Sequence, residues 1–336
     1  MRPRVMVFVR EFPQISQTYI KNEVETLARD HEVAIVSLAP ANVAEPEHLP
    51  YRMLATFPDM LAAIREFKPQ VLHCHYMMLV NIVAKLAQES GLRFTVRTHS
   101  FDIMETAGNY RNHDWQQARA NLRSEACLAV LAFPFLRPTL LEFGVPAEKL
   151  VDVPPVVDFQ RFLDRGRNGR AIMNMGAVRP KKKMEDFVEL SRMLPGREFN
   201  LYAMGYRVDA LKAYSEQRNG PLNFIPPIPH AQMPAEYKKH EWLVYTAHND
   251  IRSVGWPMAI AEAQAAGVGV CLAGLRPDMR EYVGESGHLF TDLESVRELI
   301  SAPPTPAMRE AGFEQARKSD IRVAIKLLTD RWQPVL

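Results

Sequence analysis

The feature that most constrains this fold is a regular alternation of short apolar runs, rich in β-branched residues, with amphipathic stretches. Residues 5–9 predict a strand, and residues 16–29 predict a helix that carries Ile20, Val24 and Leu27 on one face. Strands that alternate with helices predict βαβ units, in which helices cover both faces of a parallel sheet. The alternation continues at residues 32–38, 58–67, 71–75, 79–89, 94–97, 127–132 and 150–153.

A change in composition near the middle of the chain indicates a linker. Pro154 and Pro155 are followed by a polar, glycine-containing stretch at 164–169. The chain of 336 residues also exceeds the ~250–300 residues that one core usually reaches. We therefore predict an α/β protein with two doubly wound, parallel-sheet (Rossmann-like) domains, covering residues 1–160 and 161–319. After the linker the strands are predicted at 171–175, 199–204, 242–246 and 268–273, with helices at 184–194, 208–217 and 257–266.

The end of the chain predicts another helix, and the ends of the strands predict a ligand site. Residues 321–332 place Ile321, Ala324, Leu328 and Trp332 along one apolar stripe, which must pack against a partner surface. Ligands of doubly wound folds bind beyond the carboxyl ends of the strands. We therefore expect the turns that follow the strands to form the floor of a cleft between the two domains.

Charge and composition exclude several classes of protein. The 41 basic and 39 acidic residues give a net charge of +2 without a basic cluster, so no nucleic acid is expected as a partner. The cysteines Cys74, Cys127 and Cys271 lack zinc-site spacing and are predicted to be core residues. The first apolar run ends at Arg10, too early for a signal peptide, and no run approaches ~18 apolar residues. We predict a cytoplasmic protein and leave peripheral contact with the inner face of the membrane open.

The strongest local pattern is a basic turn at residues 175–186. A predicted strand ends at Gly176, a predicted helix begins near Met184, and Arg179 and three lysines at 181–183 lie between them. A helix start favours anions through its free N–H groups and its dipole, and the cations add to that preference. The pattern predicts a diphosphate site, and a solvated basic turn is the alternative.

Two further segments carry candidate polar groups. Residues 255–271 include a predicted helix with Pro257 in its first turn and Glu262 among alanines. This carboxylate could accept hydrogen bonds from a ribose diol, or from the neighbouring backbone. His99 lies in the turn after the strand at 94–97 and could bind a sugar hydroxyl or a phosphate. A purely structural histidine is the alternative.

His73 and His75 share one face of a predicted strand, as a pair of metal ligands can. No carboxylate or third ligand accompanies them in the sequence, so we predict no metal site. The sequence also lacks an Asp-x-Asp motif at a strand end, Gly-x-Gly-x-x-Gly, a Gly-Lys-Ser/Thr loop and Gly-x-Ser-x-Gly. These absences disfavour a magnesium–diphosphate clamp, hydride transfer, ATP hydrolysis and an α/β-hydrolase. No cofactor is expected.

Taken in order, several segments resemble the family-four retaining glycosyltransferases, whose two-domain fold is called GT-B. The resemblance extends over most of the chain, which makes it more specific than any single motif. It implies the GT-B fold, with a C-terminal helix at about 320–336 that crosses back to the first domain. The similar segments are residues 12–20, 71–75, 98–102, 143–150, 153–158, 176–182 and 255–267.

The resemblance also implies a role for each matching residue. Lys182 and Arg179 are expected on the donor diphosphate. Glu262 is expected on the donor ribose, and His99 near the donor sugar. The catalytic set implied in this way is His99, Lys182 and Arg179. The donor-binding set also includes Gly176, Gly205, Thr246, Gly255, Trp256, Pro257 and Glu262. The acceptor-side set is Ser16, Gln17, His75 and Asp102.

Two positions depart from the family pattern. Ala177 stands where an arginine usually follows the turn glycine, and Arg179, two residues on, is expected to replace that arginine. Val254 stands eight residues before Glu262, where the family usually has a glutamate that contacts the donor sugar.

The function that the resemblance implies is metal-independent, retaining transfer of a sugar from a nucleotide-diphospho-sugar of the UDP or GDP type. The acceptor would be a hydroxyl of a glycan, a lipid-linked molecule or a small molecule, in glycan or polysaccharide synthesis. Two alternatives stay open. The departures at Val254 and Ala177 are compatible with a non-catalytic relative that binds a nucleotide sugar or a partner protein. The same fold also supports a nucleotide-sugar epimerase, which needs no acceptor.

Overall fold

The computed structural model describes residues 2–14, 17–40, 49–104, 113–248, 250–251 and 253–336 of the chain. The chain divides into two compact units. Met1–Val156 and Ile321–Leu336 form the first unit, and Val157–Asp320 forms the second. The boundaries therefore lie at 156/157 and 320/321, where the sequence placed them at 160/161 and near 320.

The first unit is built on a parallel sheet. In the described residues its strand order is β3-β2-β1-β4-β5-β6-β7, and every pairing is parallel. Alternation of strands with helices leads to this arrangement, because a parallel pair needs a long crossover connection. The strands are β1 (Arg4–Glu11), β2 (Glu32–Ala39), β3 (Tyr51–Met53), β4 (Val71–His75), β5 (Arg93–Arg97), β6 (Cys127–Ala132) and β7 (Leu150–Asp152).

Alternate residues of β1 enter different cores of the first unit. Met6 and Phe8 belong to one buried apolar cluster, whereas Val5 and Val7 belong to another. Successive side chains of a strand point to opposite faces, so both faces of this sheet are covered. The covering helices are Thr18–Asp30, Phe57–Phe67, Val80–Ser90, Phe101–Met104, Trp115–Arg123, Arg137–Phe143 and Ile321–Asp330, with 3-10 turns at Met77–Leu79, Pro134–Leu136 and Ala147–Lys149.

The C-terminal helix Ile321–Asp330 belongs to the first unit, as predicted. The whole predicted stripe, Ile321, Ala324, Leu328 and Trp332, is buried in the same cluster as the apolar face of the helix Thr18–Asp30. The Trp332 indole N–H also donates a hydrogen bond of 3.1 Å to Thr95 Oγ1 on β5. The end of the chain is therefore part of the first core.

The second unit repeats the same architecture. Its sheet, in the residues the structure describes, has the order β10-β9-β8-β11-β12-β13, again with parallel pairings throughout. The strands are β8 (Ala171–Ala177), β9 (Phe199–Met204), β10 (Leu222–Ile225), β11 (His240–Tyr245), β12 (Gly269–Ala273) and β13 (Gly287–Phe290). The helices are Phe159–Phe162, Glu185–Met193, Val208–Gln217, Met233–Tyr237, Met258–Ala265, Asp278–Val283, Leu293–Leu299 and Pro306–Arg317, with 3-10 turns at Pro180–Lys182, His230–Gln232 and Gly284–Ser286.

Each sheet has one point where the strand order reverses. It lies between β1 and β4 in the first unit and between β8 and β11 in the second. In doubly wound folds the ligand site lies at the carboxyl ends of the strands beside such a point. The predicted fold class, two doubly wound α/β domains, is confirmed.

Two smaller predictions can also be compared with the structure. The three cysteines are buried and unpaired, as predicted. None of the helices in the described part of the chain combines the length and the apolar character needed to cross a membrane.

Candidate active site

The basic turn follows β8 in the second unit. β8 ends at Ala177, Pro180–Lys182 forms a 3-10 turn, and the next helix is Glu185–Met193. Gly176 has a φ of +125°, and a Cβ built on it would lie 2.0 Å from Lys182 Nζ. Glycine is therefore needed at this position both for the backbone conformation and for the room that the lysine occupies.

Lys182 and Arg179 are cations without a carboxylate partner among the described residues. Lys182 Nζ lies 3.5 Å from the carbonyl oxygen of Met175 and 5.1 Å from the centre of the Tyr245 ring. The Arg179 guanidinium lies 5.6 Å from the Tyr206 ring centre. Burial, with a smaller contribution from Arg179, lowers the pKa of Lys182 to about 8. Two neighbouring cations without a counterion make a site that an anionic ligand would stabilise.

A buried threonine holds the basic turn in place. Thr246 Oγ1 donates a hydrogen bond of 2.7 Å to the Lys182 carbonyl oxygen and accepts one of 3.1 Å from Asn174 Nδ2. The backbone N–H of His248 donates to the Lys181 carbonyl oxygen at 2.9 Å. The segment after β11 therefore fixes the loop after β8, across the point where the strand order reverses. Gly205, with a φ of +95°, follows β9 at the same edge of the sheet.

Glu262 lies in the second turn of the helix Met258–Ala265 and is buried. Its Oε2 accepts a hydrogen bond of 2.8 Å from the Tyr237 hydroxyl, and its Oε1 lies 3.4 Å from His230 Nε2. Burial, with the charge of Glu262, raises the pKa of Tyr237 well above its usual value. Sequence reasoning identified Glu262 but missed His230 and Tyr237, which lie 32 and 25 positions away along the chain.

The segment before this helix is held by its own contacts. The Trp256 ring stacks on Tyr282, with ring centres 4.9 Å apart, and its N–H donates a hydrogen bond of 2.8 Å to Asp278 Oδ2. The Pro257 carbonyl oxygen accepts a hydrogen bond of 2.5 Å from the Tyr282 hydroxyl. The side chain of Trp256 therefore anchors the segment, while Gly255 beside it stays partly exposed.

Val254 is buried, and its carbonyl oxygen accepts a hydrogen bond of 2.6 Å from Arg276 Nη1. The neighbouring Ser253 hydroxyl is buried and has no hydrogen-bond partner in the part of the chain that the structure describes. Asp250, in contrast, has a side chain that is 90% exposed. Of these residues, Ser253 is therefore the one with an unused buried polar group.

In the first unit, Asp102 shapes the turn that carries His99. One carboxylate oxygen of Asp102 accepts hydrogen bonds of 2.8 Å from both the Thr98 hydroxyl and the His99 backbone N–H. The other accepts one of 2.7 Å from the Met77 backbone N–H. Asp102 is fully buried, and burial raises its pKa. Its side chain thus ties the ends of β4 and β5 together.

The backbone around His99 is strained. Ser100 and Tyr76 both adopt a positive φ, of 72° and 82°. Such conformations cost roughly 1–3 kcal/mol each and cluster at functional sites. The His99 ring packs against Tyr19, with ring centres 4.4 Å apart, and against Tyr76 at 4.9 Å.

The remaining acceptor-side predictions have different positions. Gln17 precedes the helix Thr18–Asp30, and its Oε1 is buried without a hydrogen-bond partner in the described residues. His75 is fully buried at the end of β4, and its Nδ1 lies 2.9 Å from His99 Nε2. Ser16 lies outside the described residues.

The prediction that no carboxylate accompanies the histidine pair is wrong. The helix Thr18–Asp30 brings Glu23 to them, with Oε1 at 3.0 Å from His73 Nε2 and 3.5 Å from His75 Nε2. The other oxygen of Glu23 faces Arg97 Nη1 at 2.5 Å. A signal for Glu23 was present in the sequence, because this acidic residue occupies a position on the apolar stripe, three residues after Ile20.

Among the described residues, Glu23, His73 and His75 are grouped as the ligands of a metal site would be. One possible ligand atom from each residue lies within 4.8 Å of those from the other two. The Arg97 guanidinium offsets the charge of the carboxylate, which disfavours a second cation. Glu23 Oε1, His73 Nε2 and His75 Nε2 make no hydrogen bond with good geometry in the described residues, although the shorter of the two contacts is 3.0 Å. Because Arg97 already pairs with Glu23, we interpret the three residues as a buried polar network, with a bound metal ion as the alternative.

Comparison with known sequences and structures gives one family match and a set of similar folds. The family model described as Glycosyltransferase Family 4 matches residues 16–161, which include β4, β5 and the His99 turn. This match supports the resemblance to the family-four glycosyltransferases over the first half of the chain. No curated protein sequence matches the chain.

The fold of the chain is similar to that of solved structures over nearly all of its residues. HepE of Anabaena, in complex with UDP, is 12% identical, with 99% of this chain and 100% of that chain covered at a TM-score of 0.80. Sucrose-phosphate synthase from Thermosynechococcus elongatus is 16% identical, with 99% and 98% covered at a TM-score of 0.73. A glycosyltransferase from Rickettsia africae is 13% identical, with 99% of each chain covered at a TM-score of 0.73. These likenesses show the GT-B fold.

Proposed function

We propose that this protein is a glycosyltransferase that transfers a sugar from a nucleotide-diphospho-sugar to an acceptor hydroxyl, with retention of configuration and without a metal ion. The observation that carries the proposal is the pair of cations at the basic turn, Lys182 and Arg179, which have no carboxylate partner among the described residues. The diphosphate of the donor would supply the missing negative charge. Two fixed cations can neutralise a diphosphate in the role that magnesium has in other transferases.

The nucleotide part of the donor would bind beside the helix Met258–Ala265. Glu262 is the carboxylate proposed for the ribose, and among the described residues its Oε1 has only the long contact of 3.4 Å to His230. The nucleotide is proposed to be of the UDP or GDP type. HepE, which has a similar fold, is described in complexes with UDP and with UDP-glucose.

The residues of the second unit would act mainly on the leaving group. As the bond between the anomeric carbon and the phosphate oxygen breaks, negative charge builds on the departing diphosphate. Lys182 and Arg179 would stabilise that charge more strongly in the transition state than in the bound donor, which lowers the barrier. Front-face attack by the acceptor oxygen forms the new bond, and the departing phosphate oxygen takes the acceptor proton.

The first unit would supply the acceptor side. Gln17 offers a buried carbonyl oxygen with no hydrogen-bond partner among the described residues, which suits an acceptor hydroxyl. His99 offers a ring nitrogen and is proposed to lie near the donor sugar. The proposed acceptor is a glycan, a lipid-linked molecule or a small molecule, in glycan or polysaccharide synthesis. The proposal places the enzyme in the cytoplasm, with peripheral contact at the inner face of the membrane for a lipid-linked acceptor.

The experiment that tests the donor site is a thermal-shift series with UDP, GDP, ADP and CMP, each with magnesium and with EDTA. A ligand at about 100 times its Kd adds about 2.7 kcal/mol of stability. We expect one nucleoside diphosphate to raise the melting temperature equally in both conditions. A rise that needs magnesium would overturn metal independence, and no rise with any nucleotide would overturn the donor site. NMR of the product anomer then tests retention.

One observation favours a second candidate, a binding protein without transferase activity. Val254 is a buried apolar residue at the position where the family pattern has a glutamate near the donor sugar. A protein of this kind would bind the nucleotide and leave the nucleotide sugar unchanged. Release of the nucleoside diphosphate from a bound nucleotide sugar distinguishes the two, because only the transferase cleaves the donor.

A further inference from the structure

Glu23 is a fully buried carboxylate in the first unit. Burial by itself would raise its pKa, but Arg97, followed by His75 and His73, holds that pKa well below the usual value. Glu23 is therefore ionised at neutral pH. An ionised carboxylate can only accept hydrogen bonds, so any polar atom that faces it is stabilised when it carries a hydrogen.

His73 shows how this carboxylate orients a neighbouring ring. The Trp332 indole nitrogen can only donate, so its contact of 3.1 Å makes the Thr95 hydroxyl oxygen an acceptor. The Thr95 oxygen keeps a second lone pair and its own hydrogen, so it can either accept from His73 Nδ1, 2.8 Å away, or donate to it. Glu23 Oε1, 3.0 Å from His73 Nε2, can only accept, and it therefore favours the ring hydrogen on Nε2, with Nδ1 accepting from Thr95.

His75 faces the same carboxylate oxygen. Its Nε2 lies 3.5 Å from Glu23 Oε1, and neither this contact nor that of His73 Nε2 is a hydrogen bond with good geometry. A lone pair facing the carboxylate would still be repelled, so Nε2 carries the hydrogen. Burial, opposed by Glu23, lowers the pKa of His75 to about 3, so the ring is neutral. A neutral ring with its hydrogen on Nε2 has a bare Nδ1.

The bare nitrogen of His75 determines the state of His99. The two ring nitrogens, His75 Nδ1 and His99 Nε2, lie 2.9 Å apart, so one must donate to the other. Because His75 Nδ1 has no hydrogen, His99 Nε2 donates. Burial, and then the neighbouring His75, hold the pKa of His99 well below its usual value, so this ring is also neutral. Its Nδ1 is then a lone pair.

We propose that Glu23 is a positioning residue which, through His75, fixes the tautomer of His99 so that His99 Nδ1 accepts a hydrogen bond from a sugar hydroxyl. This role rests on the proposed transferase function. Tyr19 and Tyr76 hold the His99 ring between them, and their hydroxyls share a hydrogen bond of 2.8 Å. His99 is partly exposed, unlike His75, so it is the end of the chain of contacts that a substrate can reach.

The hydroxyl can belong to the donor sugar or to the acceptor, and both present the same chemistry. A metal ion on Glu23, His73 and His75 would give the opposite result. It would occupy the lone pair of His75 Nε2, place the hydrogen on Nδ1 and make His75 the donor to His99. His99 would then present an N–H to the substrate. The position of one hydrogen therefore separates the two arrangements.

The direct test is ¹⁵N NMR of the histidine rings in the uniformly labelled full-length protein at neutral pH, with metal content measured on the same sample. His75→Asn and His99→Gln assign the two rings. We expect His99 with its hydrogen on Nε2 and a bare Nδ1, and no stoichiometric metal. A hydrogen on His99 Nδ1, or one metal ion per chain that a chelator removes, would overturn the proposal. This result does not depend on turnover, so it stands apart from the transferase function.

A kinetic test shows which hydroxyl is involved. Asparagine at position 75 can present either an oxygen or an amide to His99, and it has no link to Glu23. His75→Asn should leave the affinity for the nucleoside diphosphate unchanged. If His99 binds a hydroxyl of the donor sugar, the substitution should weaken binding of the intact nucleotide sugar about tenfold. If His99 binds a hydroxyl of the acceptor, the substitution should instead raise the acceptor KM about tenfold.

The matched control is His288→Asn in the second unit, a partly exposed histidine outside this network. Both variants are checked for folding by their unfolding transitions. If folded His75→Asn matches His288→Asn both in its affinity for the nucleotide sugar and in its acceptor KM, Glu23 and His75 have no positioning role. If the wild-type chain binds no nucleoside diphosphate at all, the transferase proposal fails while the tautomer result remains valid.

Discussion

Thr246 Oγ1 donates a hydrogen bond of 2.7 Å to the carbonyl oxygen of Lys182, 64 positions away in the chain. The threonine follows β11 and the lysine lies in the turn after β8, so this contact joins the two strands at which the sheet order reverses. The position of the Lys182 amine therefore depends on a residue that need not contact the donor itself.

Thr246→Val tests whether this hydrogen bond positions Lys182 for the donor. Valine keeps the shape of threonine but leaves the Lys182 carbonyl and the Asn174 amide without their buried partner, which costs about 1–3 kcal/mol. We expect a lower free energy of unfolding by denaturant and weaker binding of the nucleoside diphosphate in calorimetry. Thr246→Ser keeps the hydroxyl and is the control. Equal losses for both substitutions would show that the hydrogen bonds contribute nothing.

Lys182→Ala should weaken nucleoside-diphosphate binding by about 1.5–3 kcal/mol, the scale of a hydrogen bond to a charged group. Lys183→Ala is the matched control, because the Lys183 amine in the same turn is paired with Asp186 at 3.1 Å. Calorimetric titration should show the loss only for Lys182→Ala. Equal affinities for the two variants would contradict the diphosphate assignment.

Gly176→Ala should reduce nucleotide affinity without removing a charge. Its Cβ would lie 2.0 Å from Lys182 Nζ, so the amine has to move. Gly205→Ala is the control for backbone strain, since Gly205 also has a positive φ but no heavy atom within 4 Å of an added Cβ. Both should lose roughly 1–2 kcal/mol of stability. Only Gly176→Ala should also weaken nucleotide binding, because only its Cβ displaces the lysine. In a protein that already carries Lys182→Ala, adding Gly176→Ala should cause no further loss of nucleotide affinity.

Stability should fall on acidification below pH 6.5. The folded-state pKa of His75 is lowered to about 3 from its usual 6.5 by burial, although Glu23 opposes the shift. Between these values the unfolded chain binds a proton that the folded chain does not, so His75 contributes stability above pH 6.5 that is lost toward pH 3. The slope for this group approaches roughly 1.4 kcal/mol per pH unit. The titratable or charged groups that face His75 are Glu23, His73, Arg97 and His99.

Denaturant unfolding at several pH values between 7.5 and 5 measures this slope. His75→Asn lacks the titrating group, so its stability should fall less steeply with acidification than that of the wild type. Parallel curves for the two proteins would show that His75 titrates in the folded state as it does in the unfolded state.

Leu328→Ala should lower the free energy of unfolding by about 2–5 kcal/mol, because the side chain is fully buried in the first core. Val323→Ala in the same helix is the control, since that residue is 51% exposed. Surface substitutions of this kind usually change stability by about 0.5 kcal/mol or less. Similar effects of the two variants would show that the C-terminal helix is not held by its buried stripe.

Much of the fold was predictable from local patterns. The alternation of β-branched runs with amphipathic stretches predicted both doubly wound units, and the stripe through Leu328 and Trp332 predicted a packed final helix. These features depend on residues that are neighbours along a strand or a helix turn, where periodicity alone decides which face is buried. Short or edge strands such as β3 and β10 were missed, because so few residues carry little periodicity.

The site depended on the tertiary structure to a greater degree. The sequence singled out Lys182, Glu262 and His99 from their positions after predicted strands and from the resemblance. It could not show that Glu23 meets His73 and His75, or that His230 and Tyr237 meet Glu262. The order and register of the strands and the placement of the helix Thr18–Asp30 decide those meetings. The sequence by itself determined which faces are buried and where the turns lie, because both follow from local spacing. The tertiary structure decided which polar groups share a turn or a core, because residues distant in the chain come together only when the sheet is assembled.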